Sequence, residues 1–155
     1  MHADRAKLDA IIVGTGTAIA DNPSLTARFP GGTLREHQPR RVVVGSREVP
    51  EGNLTRLGFE QYATPAEALE ALWETGARDV LVEGGAALAA SFLELDLVDA
   101  VHAYIAPALL GAGRGVLDRA IAGTIADARR FRTTLVRPVG NDVFLEMERD
   151  VYGTR

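Results

Sequence analysis

The sequence predicts an α/β sandwich built around a mainly parallel, mixed sheet that ends in an antiparallel hairpin. Two observations predict it: short apolar runs alternate with helical stretches through most of the chain, and a turn flanked by strand-like segments closes it. With 155 residues, 46% of them hydrophobic and 25% charged, the chain has enough material for one buried core. A single domain over residues 1–155 is the expectation.

Ala3 to Leu8 reads as the tail of a helix. Ala10 to Val13 is an uninterrupted apolar run ending in Gly14, the pattern of a strand covered on both faces. From Asp21 to Gln38 the segment DNPSLTARFPGGTLREHQ is rich in Pro, Gly and polar residues, which favours a long connection, and such loops often carry function. Arg41 to Val44 gives a second buried strand and Phe59 to Tyr62 a short third one. Thr64-Pro65-Ala66-Glu67 combines a capping pair with proline at the first helical position. Ala66, Leu69, Leu72 and Trp73 then supply the apolar face, Trp73 as core, and Gly76 closes the helix. Asp79 to Glu83 is a strand, Gly84-Gly85 a tight turn, and Ala86 to Leu95 a helix with Leu88, Phe92 and Leu95 on one side. Val101, Ala103 and Ile105 alternate with His102 and Tyr104 in a further strand, which Pro107 ends. Thr133 to Arg137 and Val143 to Arg149 flank Gly140-Asn141-Asp142 as a hairpin.

Several function classes fall away. The net charge is −4 and the basic residues are scattered, so nucleic acid is not an expected partner. The chain has no cysteine, and His2, His37 and His102 are dispersed, so no metal site is expected. No apolar run is long enough to span a membrane, and a soluble, cytoplasmic protein is the expectation. Lys7 is the only lysine and no Gly-Lys-Ser/Thr signature occurs, which excludes a P-loop.

The strongest candidate chemistry lies at Glu83-Gly84-Gly85, which leaves a buried strand and opens a helix. Backbone N–H groups and the positive end of the helix dipole converge there, suiting a phosphate, although a glycine pair also serves simply as a tight turn. Glu83 at the strand mouth is placed to accept hydrogen bonds from a polar ligand; it would equally serve as a helix N-terminal charge. Gly14-Thr15-Gly16-Thr17 resembles the start of a dinucleotide fingerprint, but Ile19 stands where the third glycine belongs and no clean helix is expected to follow. Asp21, Thr26 and Arg28 in the long loop could position a carbonyl and clamp a phosphate, or be solvated loop residues. Gly111, Gly113 and Arg114 could form a second anion nest or a turn.

Four stretches carry a family resemblance. R-A-x-x-D-A-I-I-V-G-x-G-T at Arg5 to Thr17 and A-D-N-P-x-L-T-x-R at Ala20 to Arg28 resemble the reductase domain of the bifunctional riboflavin-biosynthesis deaminase/reductase. D-V-L-V-E-G-G-x-x-L-A at Asp79 to Ala89 is similar to its second signature, and L-V-D-x-V-H-x-Y-I-A-P-x-L-L-G at Leu97 to Gly111 to its third. The resemblance covers essentially the whole chain. It implies a three-layer, dihydrofolate-reductase-like fold and an NADPH-dependent reduction of a ribosylamino-pyrimidine 5′-phosphate to the ribitylamino product. By motif position it implies that Arg5, Leu25, Arg28 and Glu83 contact this phosphorylated pyrimidine substrate. It further implies that Thr17, Asp21 and Ser46 touch NADPH, with Gly85, Ala86, Ala87, Leu88, Ala89, Ala90 and Ser91 holding the nucleotide at a helix N-terminus. Glu83 and Asp21 are the candidate catalytic carboxylates, and a homodimer is implied.

The chain departs from the family in three ways. Members precede the Arg5 region with an opening strand, so this chain is expected to be truncated at its N-terminus. The zinc chemistry of the deaminase half is not expected of a chain without cysteine. Asn22 stands where Asp is frequent. Two other readings stay open: the same fold acting on a different pyrimidine or pterin-like substrate, and a catalytically incomplete nucleotide-binding module.

Overall fold

The computed structural model describes residues 5–113 and 115–149. The expected N-terminal helix falls partly outside these residues, with Arg5 its helical part; Arg114 also lies outside them. The chain divides into two compact units, residues 1–89 and 90–155.

The first unit is built on β1 (Ala10–Gly14), whose Ala10, Ile11, Ile12 and Val13 are all buried. A strand of this kind must be covered on both faces and paired on both edges. It is one of the two inner strands of a four-stranded, wholly parallel sheet of order β3-β2-β1-β4, with β2 Arg40–Val44, β3 Glu60–Tyr62 and β4 Val80–Val82. Ala10 pairs with Arg40 on one side and with Val80 on the other, so the strands start level. Ile11 and Val13 pack with Ala18, Leu25, Val43 and Leu54 into one buried cluster.

The start of β1 is tied to β4 by a side chain. The Asp9 carboxylate accepts the N–H groups of Arg78 and Asp79 at 2.7 and 2.9 Å, and these bonds hold its pKa below 3.8.

Two short helices were not legible. The sequence predicts no clean helix after Gly14, yet α1 (Thr15–Asp21) follows immediately. Gly16 and Thr17 are poor helix formers, but Thr15 and Ala18 are buried, and packing outweighs propensity in a helix this short. Asn22 ends α1 in the left-handed region at φ 43°, a conformation that Asn tolerates better than most residues. Its side-chain oxygen then accepts the Asn53 N–H at 2.7 Å, capping α2 (Asn53–Leu57). Between them, residues 22–39 form the expected long connection, held by the Gln38 amide, which bonds both the N–H and the carbonyl of Ala27 at 3.0 and 2.9 Å.

Helix α3 (Pro65–Glu74) starts and stops as its sequence directs. Thr64 Oγ1 accepts the Glu67 N–H, Pro65 occupies the first position, and Gly76 at φ 92° closes it. The Ala77 N–H reaches the Leu72 carbonyl and the Gly76 N–H the Trp73 carbonyl, each at 3.0 Å. The apolar face differs from the expected one. Ala68 and Leu72 are buried, whereas Trp73 is 63% exposed, its ring covered by the Arg78 guanidinium 3.7 Å away. One residue is 100° of helical arc, so centring the face on Ala68 and Leu72 turns Trp73 outward, where the cation–π contact holds it.

Helix α4 (Ala86–Glu94) begins in the first unit and runs into the second. The second unit contains β5 (Ala100–Ile105), β6 (Phe131–Val139) and β7 (Asp142–Arg149) in an antiparallel sheet of order β5-β7-β6. Gly140 and Asn141 make the expected hairpin turn, with Val139 paired to Asp142. A bulge interrupts β6 at Thr134, whose hydroxyl donates to the Glu146 carbonyl at 3.2 Å. The expected single mixed sheet is thus resolved into a purely parallel and a purely antiparallel one. β5 pairs with β7 along its whole length and β4 pairs with β1 in parallel, each as an edge strand of its own sheet. No helix among the described residues is long and apolar enough to cross a membrane.

The Asp9 contacts give a pH-dependent prediction. A carboxylate with a depressed folded-state pKa stabilises above its unfolded value and loses that contribution as pH falls through the folded one. Asp9→Asn should therefore cost about 1 kcal/mol at neutral pH, with the gap to wild type closing as the pH is taken below 3.8 in denaturant melts. A constant gap across that range would mean that the charge contributes nothing.

Candidate active site

In the parallel sheet the chain moves outward from β1 to β2 and β3, then returns to the other side of β1 as β4. The order of strands therefore reverses between β1 and β4. In open parallel sheets, ligands bind outside the carboxyl ends of the strands at such a reversal. Gly14-Thr15-Gly16-Thr17 leaves β1 at this edge and Glu83-Gly84-Gly85 leaves β4 beside it.

Glu83 is fixed at backbone level by its N–H donating to the Ile12 carbonyl at 2.8 Å, which continues the β1–β4 ladder. Its carboxylate is gripped by Arg5: Nε donates to Oε1 at 2.8 Å and Nη2 to Oε2. The two side chains are 14% and 18% exposed, so the pair sits partly out of water with one rim open. A third donor, Arg5 Nη1, reaches the Thr26 carbonyl at 3.2 Å. That carbonyl follows Leu25, which is buried in the core cluster and adopts φ 47°. A leucine in this region carries strain of about 1–2 kcal/mol, and burial of its side chain in the core holds it there.

The glycine pair next to Glu83 takes a backbone conformation that other residues adopt only with strain. Gly84 and Gly85 have φ of 85° and 83°, and a Cβ on Gly85 would lie 3.3 Å from Thr17 Oγ1. The Gly85 carbonyl accepts the Ala89 N–H at 3.0 Å, so Gly85 caps α4 and the positive end of that helix lies at the mouth of β4. Gly14 is close to the same helix, a Cβ there meeting Leu88 at 3.7 Å.

A family model described as the RibD C-terminal domain matches residues 1–145. The chain belongs to the RibD C-terminal domain family. The riboflavin biosynthesis protein RibD of Corynebacterium ammoniagenes is 59% identical over 133 residues, covering 83% of this chain and 40% of that protein. Its counterpart in Mycobacterium tuberculosis strain H37Rv is 40% identical over 152 residues, covering 95% and 44%. The chain spans less than half the length of these curated relatives. Among solved structures, Acinetobacter baumannii RibD, form 2, matches with a TM-score of 0.81 at 28% identity, over 95% of this chain and 48% of that one. A Thermotoga maritima deaminase/reductase shares the fold at a TM-score of 0.80 and 23% identity.

Set beside the positions that the RibD resemblance singles out, the structure brings some together and separates others. Arg5, Glu83, Thr17, Gly84 and Gly85 gather at the carboxyl ends of β1 and β4. Arg28 is near through Thr26, donating from Nε to Thr26 Oγ1 at 3.1 Å and from Nη1 to the Gly32 carbonyl at 2.7 Å. Asp21, the last residue of α1, is exposed, and its carboxylate has no hydrogen-bond partner among the described residues. Ser46 is exposed beyond β2. In the segment Gly85 to Ser91, Gly85, Ala86 and Ala87 form the open start of α4, whereas Leu88 and Ala90 are 7% and 0% exposed and face packing. Ser91, farther along, accepts a hydrogen bond from Arg119 Nη2 at 3.1 Å. Sequence reasoning missed the loop Gly45-Ser46-Arg47 as a unit; its signal was a glycine and a serine directly after a strand, as at Gly14-Thr15.

Two measurements test this geometry. A double-mutant cycle of Arg5→Ala and Glu83→Ala, read by denaturant unfolding, should return a coupling of about 1–3 kcal/mol for a partly buried bidentate pair; additivity would show that the contact is not energetically real. Gly85→Ala should cost about 1–2 kcal/mol because it places a Cβ in the left-handed region against Thr17. An unchanged melting temperature would contradict the turn as described.

Proposed function

We propose that this chain catalyses the NADPH-dependent reduction of 5-amino-6-(5-phosphoribosylamino)uracil to its ribitylamino product, as a cytoplasmic homodimer whose residues 1–155 form one reductase domain. The observation that carries the reading is the convergence of Arg5, Glu83 and the Thr26 carbonyl beside the Gly84-Gly85 turn at the sheet's reversal point. The match to the RibD family supports it.

The residues fit a dinucleotide. Two consecutive glycines at positive φ leave room where Cβ atoms would stand, directly before a helix whose positive end faces the opening. Thr17 offers a hydroxyl from the other side of the cleft, and Asp21 and Ser46 lie in the segments that follow β1 and β2. When bound, NADPH supplies the hydride, delivered to the anomeric carbon of the sugar.

The remaining work falls to the chain's own groups. Arg5 and Arg28 bind the substrate phosphate through planar guanidinium donors. Leu25 places the loop that carries Thr26 and Arg28. Glu83, held by Arg5, orients the ribose hydroxyls and handles the proton that accompanies opening of the sugar ring. Asp21, with an unengaged carboxylate, is the second proton-handling group. Alignment of the two ligands and exclusion of water provide the rest of the rate.

Titration calorimetry with NADPH, followed by turnover measured as loss of NADPH absorbance with the phosphoribosylaminouracil, tests the proposal. Wild type should bind and turn over, and Glu83→Gln should retain NADPH binding while kcat falls about a hundredfold. Full activity in Glu83→Gln removes the role of Glu83, and NADPH binding without turnover would mark a nucleotide-binding module instead.

A further inference from the structure

Strand β2 opens with two arginines that are used differently. Arg40 is paired with Glu60. Arg41 is partly buried and has no acidic partner among the described residues. Its guanidinium is held by carbonyls instead: Nε donates to that of Ser24 at 3.1 Å and Nη1 to that of Leu57 at 3.4 Å. Burial without a counter-charge holds its pKa below the ordinary arginine value.

The position itself asks for no charge. Arg41 pairs with Ile11 and stands two residues before Val43, so the three lie on one face of the sheet, and Ile11 and Val43 belong to the buried cluster. An aliphatic side chain there would extend that cluster without taking a cation out of water. What the guanidinium adds is direction, because a planar fork fixes two acceptors at once. Those two acceptors close a frame. Asn22 Oδ1 accepts the N–H of Asn53, the first residue of α2, and Arg41 ties Leu57, the last residue of α2, to Ser24. The segment 22–24 is therefore bound to both ends of one helix.

Leu25 follows directly, at φ 47°, and the Thr26 carbonyl after it accepts Arg5 Nη1 at 3.2 Å. Arg5 in turn grips Glu83. The core fixes the Leu25 side chain, but a strained backbone persists only when its surroundings also hold the chain on either side. The Gln38 amide holds Ala27 beyond it, and Arg41 holds Ser24 before it. We propose that Arg41 is a positioning residue of the Arg5–Glu83 site: through the Ser24 carbonyl it keeps Leu25 in its left-handed conformation and so aims the Thr26 carbonyl that orients Arg5. The consequence for turnover rests on the reductase reading, whereas the consequence for the ion pair does not.

The test therefore takes two measurements on wild type, Arg41→Met and Arg41→Lys. The first is the coupling between Arg5 and Glu83, from the alanine double-mutant cycle read by denaturant unfolding. With Arg41→Met it should fall below about half its wild-type value, and with Arg41→Lys it should lie between the two. A coupling left unchanged by both substitutions would overturn the proposal, whatever happens to overall stability. The second is steady-state turnover with NADPH and the phosphorylated pyrimidine. Arg41→Met should lower kcat about tenfold with NADPH affinity unchanged. In a Glu83→Gln background the same substitution should cost no more than about twofold, because the pair it positions is already disabled. Equal losses in the two backgrounds would overturn the proposal and leave Arg41 a purely structural residue. Asp9→Asn, which weakens the opposite end of β1, is the control and should leave kcat and KM unchanged; a fall matching that of Arg41→Met would show that kcat merely follows stability, and would also overturn it. Wild type that neither binds nor oxidises NADPH would bring down the reductase reading, while the coupling measurement would still decide the role of Arg41.

Discussion

Everything in the first unit depends on β1 having no exposed side chain. A strand of Ala10, Ile11, Ile12 and Val13 with burial this complete cannot sit at an edge or carry one bare face. It takes β2 and β4 as parallel neighbours in level register, and parallel neighbours need helical or looped returns over the faces. The returns cover Ile11 and Val13 with Ala18, Leu25 and Leu54. The carboxyl ends of β1 and β2 are thereby brought level, Gly14 opposite Val44, while β4 ends opposite Ile12; glycine closes β1, Gly45 follows β2 and Glu83 follows β4. Packing, rather than any property of a ligand, fixes where those groups stand.

On that platform the charges are arranged economically. Arg5 answers Glu83 with a two-bond fork and uses its remaining nitrogen on the Thr26 carbonyl. Removing water from an isolated carboxylate would be costly, and the fork makes the partly buried position tolerable. The same fork joins residues far apart in the chain, so the loop before β2 and the strand β4 are referenced to one another by a guanidinium. Leu25 contributes through the backbone: its buried side chain keeps a strained φ in place, and the strain aims the next carbonyl.

What could be read from the sequence was whatever local chemistry decides. β1 showed in its unbroken apolar run, α3 in Thr64-Pro65 and Gly76, and the C-terminal hairpin in Gly140-Asn141. Gly84-Gly85 was legible as a strand-to-helix turn because the pair stands between an apolar run and a helical face. Helices α1 and α2 were hidden, since tertiary burial of Thr15, Ala18 and Leu54 overrides their weak propensity. Trp73 was misplaced because a hydrophobic residue adjacent to a buried one differs from it by 100° of arc, and only the partner surface decides which is covered. The separation into a parallel and an antiparallel sheet was also hidden, because pattern shows that a segment is a strand without naming its neighbour. The Arg5–Glu83 pair spans 78 positions and left no trace in spacing.

The Gln38 amide has a consequence for how this lineage can vary. By bonding both the N–H and the carbonyl of Ala27, it imitates a strand partner and seals the base of the segment between them. Within that segment Arg28 bridges to Leu34, and Gly31 and Gly32 have open space where a Cβ would lie. A sealed base decouples the tip from what lies beneath it. Residues can be added or lost around Gly31 and Gly32 at the modest entropic cost of a longer loop, while the Thr26 carbonyl that Arg5 grips keeps its place. The tip is where the protein is free to experiment.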